Sequence, residues 1–211
     1  MLNEIKFSLN IFRRYRYWHN AGYVFIHVPK AAGTSINNAL YGRTLGHYSA
    51  RQIQSRFPAL FLSSFTFSLV RNPWDRALSA YRFARIGRTE SMGVNQPQQY
   101  EIPEFSSFER FVCDWLPSKD LSNCDFIFKP QYLFVCDQNM KVMVDHLGYV
   151  ERLTETVCFL QDRLGRAIDV KMANATSAGM GSYRDAYTSN EMIEIVRSVY
   201  RDDIDLFGYE F

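Results

Sequence analysis

The sequence predicts an α/β protein of one domain, in which a central parallel sheet is flanked by helices. Residues 23–26 and 65–70 are short apolar runs rich in β-branched and aromatic side chains, which is typical of buried parallel strands. A polar loop and a helix-like segment follow each run. The 211 residues are 47% hydrophobic, and no linker rich in Gly, Ser or Pro divides them. We therefore expect residues 1–211 to fold around one sizeable core.

The first strand-loop-helix unit, residues 22–42, has the composition of an anion-binding loop. Lys30 supplies a positive charge, and Gly33 lets the backbone approach a ligand closely. Thr34 and Ser35 supply hydroxyls and backbone N–H groups at the first turn of the helix. The lysine comes before the glycine, whereas a nucleoside-triphosphate loop of the form G-x-x-x-x-G-K-[ST] has it after. The pattern therefore predicts a phosphate site that differs from a triphosphate loop.

A second unit, residues 65–86, repeats this arrangement. Arg71 directly follows the strand, and its planar guanidinium can hold a phosphate through two parallel hydrogen bonds. Ser79 lies about two turns along the next helix. We predict that these two residues form a second anion site. For the other polar and aromatic residues of this helix we expect a solvated arginine and two packed rings: Arg76, Trp74 and Tyr81.

The middle and the end of the chain carry weaker signals. Residues 86–104 have the turn residues of a long irregular loop, which is where substrate specificity commonly lies. The run Leu133–Cys136 predicts a strand, and residues 154–164 predict a helix. Residues 174–187 form a polar, glycine-rich loop, and Thr188 with Glu191 predicts a capping box before the last helical segment.

Three segments resemble one enzyme family. Residues 29–35 (Pro-Lys-Ala-Ala-Gly-Thr-Ser) resemble the 5′-phosphosulfate loop of sulfotransferases that use 3′-phosphoadenosine 5′-phosphosulfate (PAPS), and residues 71–81 resemble their 3′-phosphate motif. Residues from 174 onward resemble the closing segment that folds over the nucleotide. The resemblance is to the Golgi carbohydrate sulfotransferases and their bacterial relatives in the sulfotransferase 2 group. It implies a P-loop-like nucleotide-binding fold with PAPS as co-substrate.

The same resemblance implies which residues bind the donor. A nucleotide with phosphates at both the 3′ and the 5′ position needs two anion sites, and the two units supply one each. For the 5′-phosphosulfate the implied residues are Lys30, Ala31, Ala32, Gly33, Thr34 and Ser35. For the 3′-phosphate and the covering loop they are Arg71, Ser79, Ser177, Tyr183 and Arg184.

Catalysis requires a base, because a sugar hydroxyl is a weak nucleophile until its proton is accepted. Among the four histidines, His19 lies in a basic N-terminal segment, His146 in an apolar run, and His27 at the end of the first strand. His47 follows the first helix in a segment that resembles the His-x-[ST]-Ala-Arg segment of bacterial family members. An ordinary histidine pKa near ~6.5 suits general base catalysis. The resemblance also makes Gln131 a candidate for contact with the acceptor.

The expected reaction is an in-line displacement at sulfur. His47 accepts the acceptor proton, and Lys30 stabilises the charge that develops on the leaving 5′-phosphate. The scheme needs no metal, and no metal-ligand spacing is present. A P-loop nucleotide kinase and a non-catalytic binding module of the same fold are the alternatives. The missing triphosphate loop argues against the first, and Lys30 with His47 argues against the second.

Charge and hydropathy limit the partners. A net charge of +2 is too small to indicate a nucleic-acid partner, and no stretch reaches the ~18 to 20 apolar residues of a membrane span. We expect a glycan or another hydroxyl-bearing acceptor. We also expect a cytoplasmic enzyme of bacterial type, in preference to a trimmed catalytic domain of a Golgi protein. The four cysteines show no C-x-x-C pair, and we expect free thiols. The oligomeric state and the hydroxyl that is sulfated stay open.

Overall fold

A computed structural model describes residues 2–88, 93–170 and 181–211. It confirms the α/β class, with a small parallel sheet and many helices. The sheet has three strands in the order β1-β2-β3 within these residues. The chain divides into two compact units. The first is formed by Met1–Val70 with Gln131–Ala173, and the second by Arg71–Pro130 with Asn174–Phe211.

The strands and helices have the following bounds. The strands are β1 (Tyr23–Ile26), β2 (Phe65–Val70) and β3 (His146–Tyr149). The helices are α1 (Leu2–Ala21), α2 (Gly33–Tyr41), α3 (Ala50–Arg56), α4 (Pro58–Ser63), α5 (Pro73–Ile86), α6 (Phe108–Arg110), α7 (Tyr132–Val135), α8 (Leu153–Leu164), α9 (Asn190–Val199) and α10 (Arg201–Phe207). A π-helical turn, Phe111–Trp115, continues α6. Short 3₁₀ turns lie at Pro97–Tyr100, Pro103–Phe105, Leu116–Ser118, Leu121–Asn123, Val150–Arg152 and Tyr183–Ala186.

The sheet of the first unit is built around β1 and β2, which are buried on both faces although β2 carries the polar residues Thr66 and Ser68. All of β1 is buried, and β2 is buried from its second residue onward. The strands pair in parallel, with Tyr23 opposite Phe65 and Phe67 opposite His146. One face of the sheet packs against α2 and α8. The buried residues of this core are Tyr23, Phe25, Ile36, Leu40, Phe67, Leu69, Leu160 and Ile168.

Hydrogen bonds between Thr66 of β2 and Asp145, the residue before β3, support the pairing of these two strands. The carboxylate of Asp145 accepts hydrogen bonds from the backbone N–H and the hydroxyl of Thr66, at 2.8 and 2.9 Å. The backbone N–H of Asp145 also donates to the Thr66 hydroxyl oxygen, at 3.0 Å. A shift of register by one residue would turn every apolar side chain to the opposite face, so this polar contact supports the apolar pattern.

The second unit has an aromatic core against α5 and α9. Trp115 and Phe128 lie with ring centroids 4.8 Å apart, and Phe105 and Phe111 lie 5.2 Å apart. Two buried hydroxyls tie this core to the backbone. That of Tyr200 donates to the carbonyl oxygen of Phe128 at 3.0 Å. That of Tyr187 donates to the Trp74 carbonyl oxygen at 2.8 Å.

Two predicted local structures are wrong. The run Leu133–Cys136 was expected to be a strand, but residues 132–135 form the short helix α7. The capping box was expected at Thr188, but Ser189 caps α9 by accepting a hydrogen bond from the Met192 N–H at 3.3 Å. The helices at residues 154–164 and after residue 191 are confirmed. No helix of the described residues is long and apolar enough to cross a membrane.

Candidate active site

The loop between β1 and α2 has a strained backbone. Lys30 and Ala32 adopt left-handed conformations, with φ of 65° and 55°, which are uncommon for residues with a Cβ atom. Ala32 is the N-cap of α2 and makes no side-chain capping bond. The first N–H groups of an α-helix have no acceptor inside the helix, and the helix dipole favours a negative charge there. A left-handed turn leading into such a helix start is a typical anion-binding backbone.

Gly33 has a structural role in addition to the predicted close approach of a ligand, which stays a prediction. A Cβ atom at this position would overlap the imidazole ring of His27, so any larger residue requires the ring or the helix start to move. His27 is only 3% exposed. The ring of His27 therefore fills the space on the Cβ side of Gly33, and the absence of a side chain at Gly33 lets His27 lie under the loop.

His47 lies against His27 through both its ring and its Nδ1 atom. The two ring centroids are 4.0 Å apart. The Nδ1 atom of His47 is 3.0 Å from the backbone carbonyl oxygen of His27. A carbonyl oxygen only accepts, so Nδ1 carries the hydrogen, and in neutral His47 the basic nitrogen is Nε2. This bond therefore fixes which nitrogen of the neutral ring could accept a proton, namely Nε2.

The surroundings of His27 favour its neutral form. Burial lowers the pKa of His27 well below its ordinary value, and the positive charges of His47 and Lys30 lower it further. His27 is therefore neutral at neutral pH, and its Nδ1 is buried without a hydrogen-bond partner among the described residues. Lys30 is half-buried and close enough to act on the same ring. The first unit thus gathers Lys30, the start of α2 and the two histidines in one place.

Arg71 of the second unit makes a two-pronged ion pair with Asp75. Its Nε and NH2 atoms donate to the two carboxylate oxygens at 2.8 and 2.7 Å. In this structure the parallel donor pair that could bind a phosphate is therefore occupied by the carboxylate of Asp75. Asp75 was missed in the sequence, although a spacing of four residues on a helix is a signal for such a pair. Ser79, one turn beyond Asp75 on α5, is 6% exposed.

On α5 the structure corrects the predicted exposure of Arg76 and confirms the predicted packing of Trp74 and Tyr81. Arg76 was expected on a solvated face, but it is 1% exposed and donates to the carbonyl oxygens of Ile127 and Lys129 at 3.3 and 2.8 Å. The buried guanidinium of Arg76 therefore holds the backbone of residues 127–129 in place. The aromatic rings of Trp74 and Tyr81 are packed, as predicted, at 0% and 6% exposure.

The remaining predicted site residues are Ser177, Tyr183, Arg184 and Gln131. Ser177 lies outside the described residues. Arg184 is exposed and lies over the rings of Tyr183 and Phe211, with its Cζ atom 4.9 and 5.6 Å from the ring centroids. Gln131 directly precedes α7 and is fully buried. Contact of these residues with a nucleotide or an acceptor stays a prediction.

The fold and the loop define a class of protein: an α/β protein with an anion-binding turn after its first strand and a histidine base candidate beside that turn. The family within this class follows from comparison with known proteins. A model of the Sulfotransferase family matches residues 13–210, and the chain therefore belongs to that family. This confirms the family predicted from the three segments. Neither the curated proteins nor the solved structures contain a match to the chain.

Proposed function

We propose that this sulfotransferase takes PAPS as its donor and transfers the sulfuryl group to a carbohydrate hydroxyl. The observation that carries the proposal is the His47 tautomer, which is fixed by a 3.0 Å bond to the His27 carbonyl beside the Lys30 turn. A protein that only bound a nucleotide would not need an oriented base. Family membership supports sulfuryl transfer in general, whereas the donor, the base and the acceptor class are our proposals.

The proposed donor site begins at the turn before α2. The N–H groups of Gly33, Thr34 and Ser35 lie in the first turn of α2, where the helix dipole stabilises the negative charge of a phosphosulfate. Lys30 adds a point charge from the same turn. We assign the 5′-phosphosulfate to this segment, together with the backbone of residues 31 and 32. The same turn is our reason for proposing a P-loop-like architecture for this unit.

The second phosphate is assigned to Arg71 and Ser79. The guanidinium of Arg71 is 15% exposed at its side chain and presents two parallel N–H groups, which suits a phosphate as well as it suits Asp75. Ser79 adds a hydroxyl from the same helix. Ser177, Tyr183 and Arg184 complete the proposed set for the nucleotide, on the strength of the sequence resemblance.

The residues of the chain divide the chemical work as follows. His47 accepts the acceptor proton at Nε2 while the acceptor oxygen forms its bond to sulfur. The bond between sulfur and the bridging oxygen breaks, and Lys30 stabilises the negative charge that this leaves on the phosphate. The products are the sulfate ester and adenosine 3′,5′-bisphosphate. His27 stays neutral and keeps the His47 ring in position.

A glycan is the proposed acceptor, with Gln131 as the contact suggested by the resemblance. The test of the donor is calorimetry with adenosine 3′,5′-bisphosphate in the absence of Mg²⁺. We expect tight binding of this nucleotide and weak binding of ATP. The reverse order would support a nucleotide kinase and refute the proposal.

Transfer itself is tested with sulfate-labelled PAPS and a panel of glycans. His47→Ala and Lys30→Ala should each lower turnover by about 10²- to 10⁴-fold, which is the range for loss of a positioned acid-base group. His19→Ala is the matched control, because His19 is an exposed histidine of α1. Unchanged turnover in His47→Ala would remove that residue from the base role. Incorporation into no member of the panel would refute the carbohydrate acceptor.

A further inference from the structure

The first unit carries a second concave site, away from the phosphate turn. An open groove of about 710 Å³ lies between α1, the start of β1 and the segment after α8. We call it the Tyr17 groove, and its polar lining is Arg16, Tyr17, Asn20, Tyr41 and Arg166. Tyr23, the first residue of β1, also lines it, whereas Lys30 follows the end of that strand. Four residues of strand span about 13 Å, so the groove lies at the opposite end of β1 from the phosphate turn.

Two arginines are organised around Tyr17. Arg16 and Arg43 each donate an N–H to the Tyr17 hydroxyl oxygen, at 3.1 and 3.0 Å. Their Cζ atoms lie 4.9 and 5.5 Å from the ring centroid, within the range of cation–π contacts. The two guanidinium groups also lower the pKa of the Tyr17 hydroxyl. One phenol ring therefore holds two exposed positive charges together against their mutual repulsion.

A third arginine is fixed on the other side of the groove. Arg166 donates to the hydroxyl oxygen of Tyr23 at 3.2 Å and to the carbonyl oxygen of Ala39 at 3.1 Å. Within the described residues, none of these three arginines forms an ion pair with a carboxylate. Each guanidinium has five N–H donors and uses only one or two of them, so several point to solvent. Three held cations without a counter-ion are a site for an anionic ligand.

The rest of the lining indicates what carries the anionic groups. The lining combines apolar side chains of Ala21, Leu40 and Leu164 with the amide of Asn20 and with tyrosines. A sugar ring has the matching surface, with apolar C–H faces and hydroxyls at its rim. The volume is within the ~300 to 1,000 Å³ typical of ligand sites. A net charge of +2 gives the chain no general affinity for polyanions, so the positive charge of this groove is local.

We propose that the Tyr17 groove binds a segment of an acidic saccharide, with Arg16, Arg43 and Arg166 pairing with its carboxylate or sulfate groups. The groove is distinct from the proposed donor site. The proposal concerns binding alone, and it holds whether or not the saccharide is also the acceptor of the transfer reaction.

The experiment measures binding of a heparin-derived hexasaccharide to the full chain by calorimetry, with neutral maltohexaose and phosphatidylserine vesicles as comparisons. The variant replaces the two arginines that line the groove and Arg43, which is bonded to Tyr17: Arg16→Gln, Arg43→Gln and Arg166→Gln. The matched control removes the same charge from exposed arginines elsewhere: Arg110→Gln, Arg197→Gln and Arg201→Gln. We expect the groove variant to bind the hexasaccharide at least tenfold more weakly than the unmodified chain and the control less than threefold more weakly.

Three outcomes would overturn the proposal: equal loss in both variants, equal binding of maltohexaose, and binding of the vesicles in preference to the hexasaccharide. If the groove variant does not fold, nuclear magnetic resonance of the unmodified chain decides, because the hexasaccharide must shift the resonances of Tyr17 and Tyr41 first. Binding of adenosine 3′,5′-bisphosphate is measured in the same samples. Absence of this nucleotide binding in the unmodified chain would refute the proposed donor, and the groove proposal would still be decided by the hexasaccharide measurement.

Discussion

Gly33→Ala should destabilise the protein through one identified contact. The added Cβ atom would overlap Cδ2 and Nε2 of the His27 ring, which is 3% exposed and has little space to move. Overpacking of this kind costs about 1 to 3 kcal/mol. We therefore expect the free energy of unfolding, measured by urea denaturation, to fall by about 2 kcal/mol. Because the ring of His27 supports His47, turnover should fall as well.

The explanation is tested by a double-mutant cycle. In a His27→Ala background the obstructing ring is absent, so Gly33→Ala should cost nearly nothing, with a coupling of at least about 1 kcal/mol between the two positions. Gly22→Ala is the control. That glycine has a φ of 74° and open space around it, so the substitution carries backbone strain alone and should cost the same in both backgrounds. Equal costs of Gly33→Ala in the two backgrounds would refute the role of the ring.

Three further predictions concern pH, the second phosphate and a helix cap. Because burial lowers the pKa of His27, the unfolded chain binds more protons below about pH 6.5, so stability should fall as the pH drops through that value, and His27→Gln should flatten the slope in urea melts. Arg71→Lys should weaken adenosine 3′,5′-bisphosphate binding about tenfold in calorimetry, since an ammonium cannot form a two-pronged contact, whereas Arg110→Lys should not. Ser189→Ala should lower the unfolding free energy by about 1 kcal/mol, and Thr188→Ala by much less.

Each of these has an outcome that contradicts it. An unchanged pH slope in His27→Gln would mean that another group titrates. Equal affinity of the Arg71→Lys variant would show that the phosphate does not use the parallel donor pair. A larger effect at Thr188 than at Ser189 would restore the capping box that the sequence suggested.

The apolar runs predicted the sheet well because they depend on local composition. Residues 23–26 and 65–70 are strands with the predicted bounds, since an apolar run of this length has few other ways to bury both faces. Leu133–Cys136 has the same composition and forms the end of a helix instead. Intrinsic β-preference is a weak determinant for a run of four residues, and here the tertiary surroundings outweigh it.

The residue types of the candidate site were visible in the sequence, but their contacts were not. The spacing of Lys30, Gly33 and Thr34 predicted a helix start suited to an anion, and the backbone has that form. The sequence separates His27 from His47 by a whole helix, so no local pattern could show that their rings meet. The burial of Arg76 was equally hidden, because it depends on carbonyl groups about fifty residues away.

The Arg71–Asp75 pair shows why residue type alone underdetermines a phosphate site. A guanidinium placed for a phosphate is also placed for any carboxylate within reach, and Asp75, in the first turn of α5, follows Arg71 by four residues. The side chains of Arg71 and Asp75 are only 15% and 25% exposed, and their two hydrogen bonds hold the guanidinium in one orientation. A doubly charged phosphate attracts the guanidinium more strongly than a single carboxylate does. Whether Arg71 is held by Asp75 alone or also binds a phosphate therefore depends on a contact that the residue type of Arg71 does not reveal, and the Arg71→Lys variant tests it.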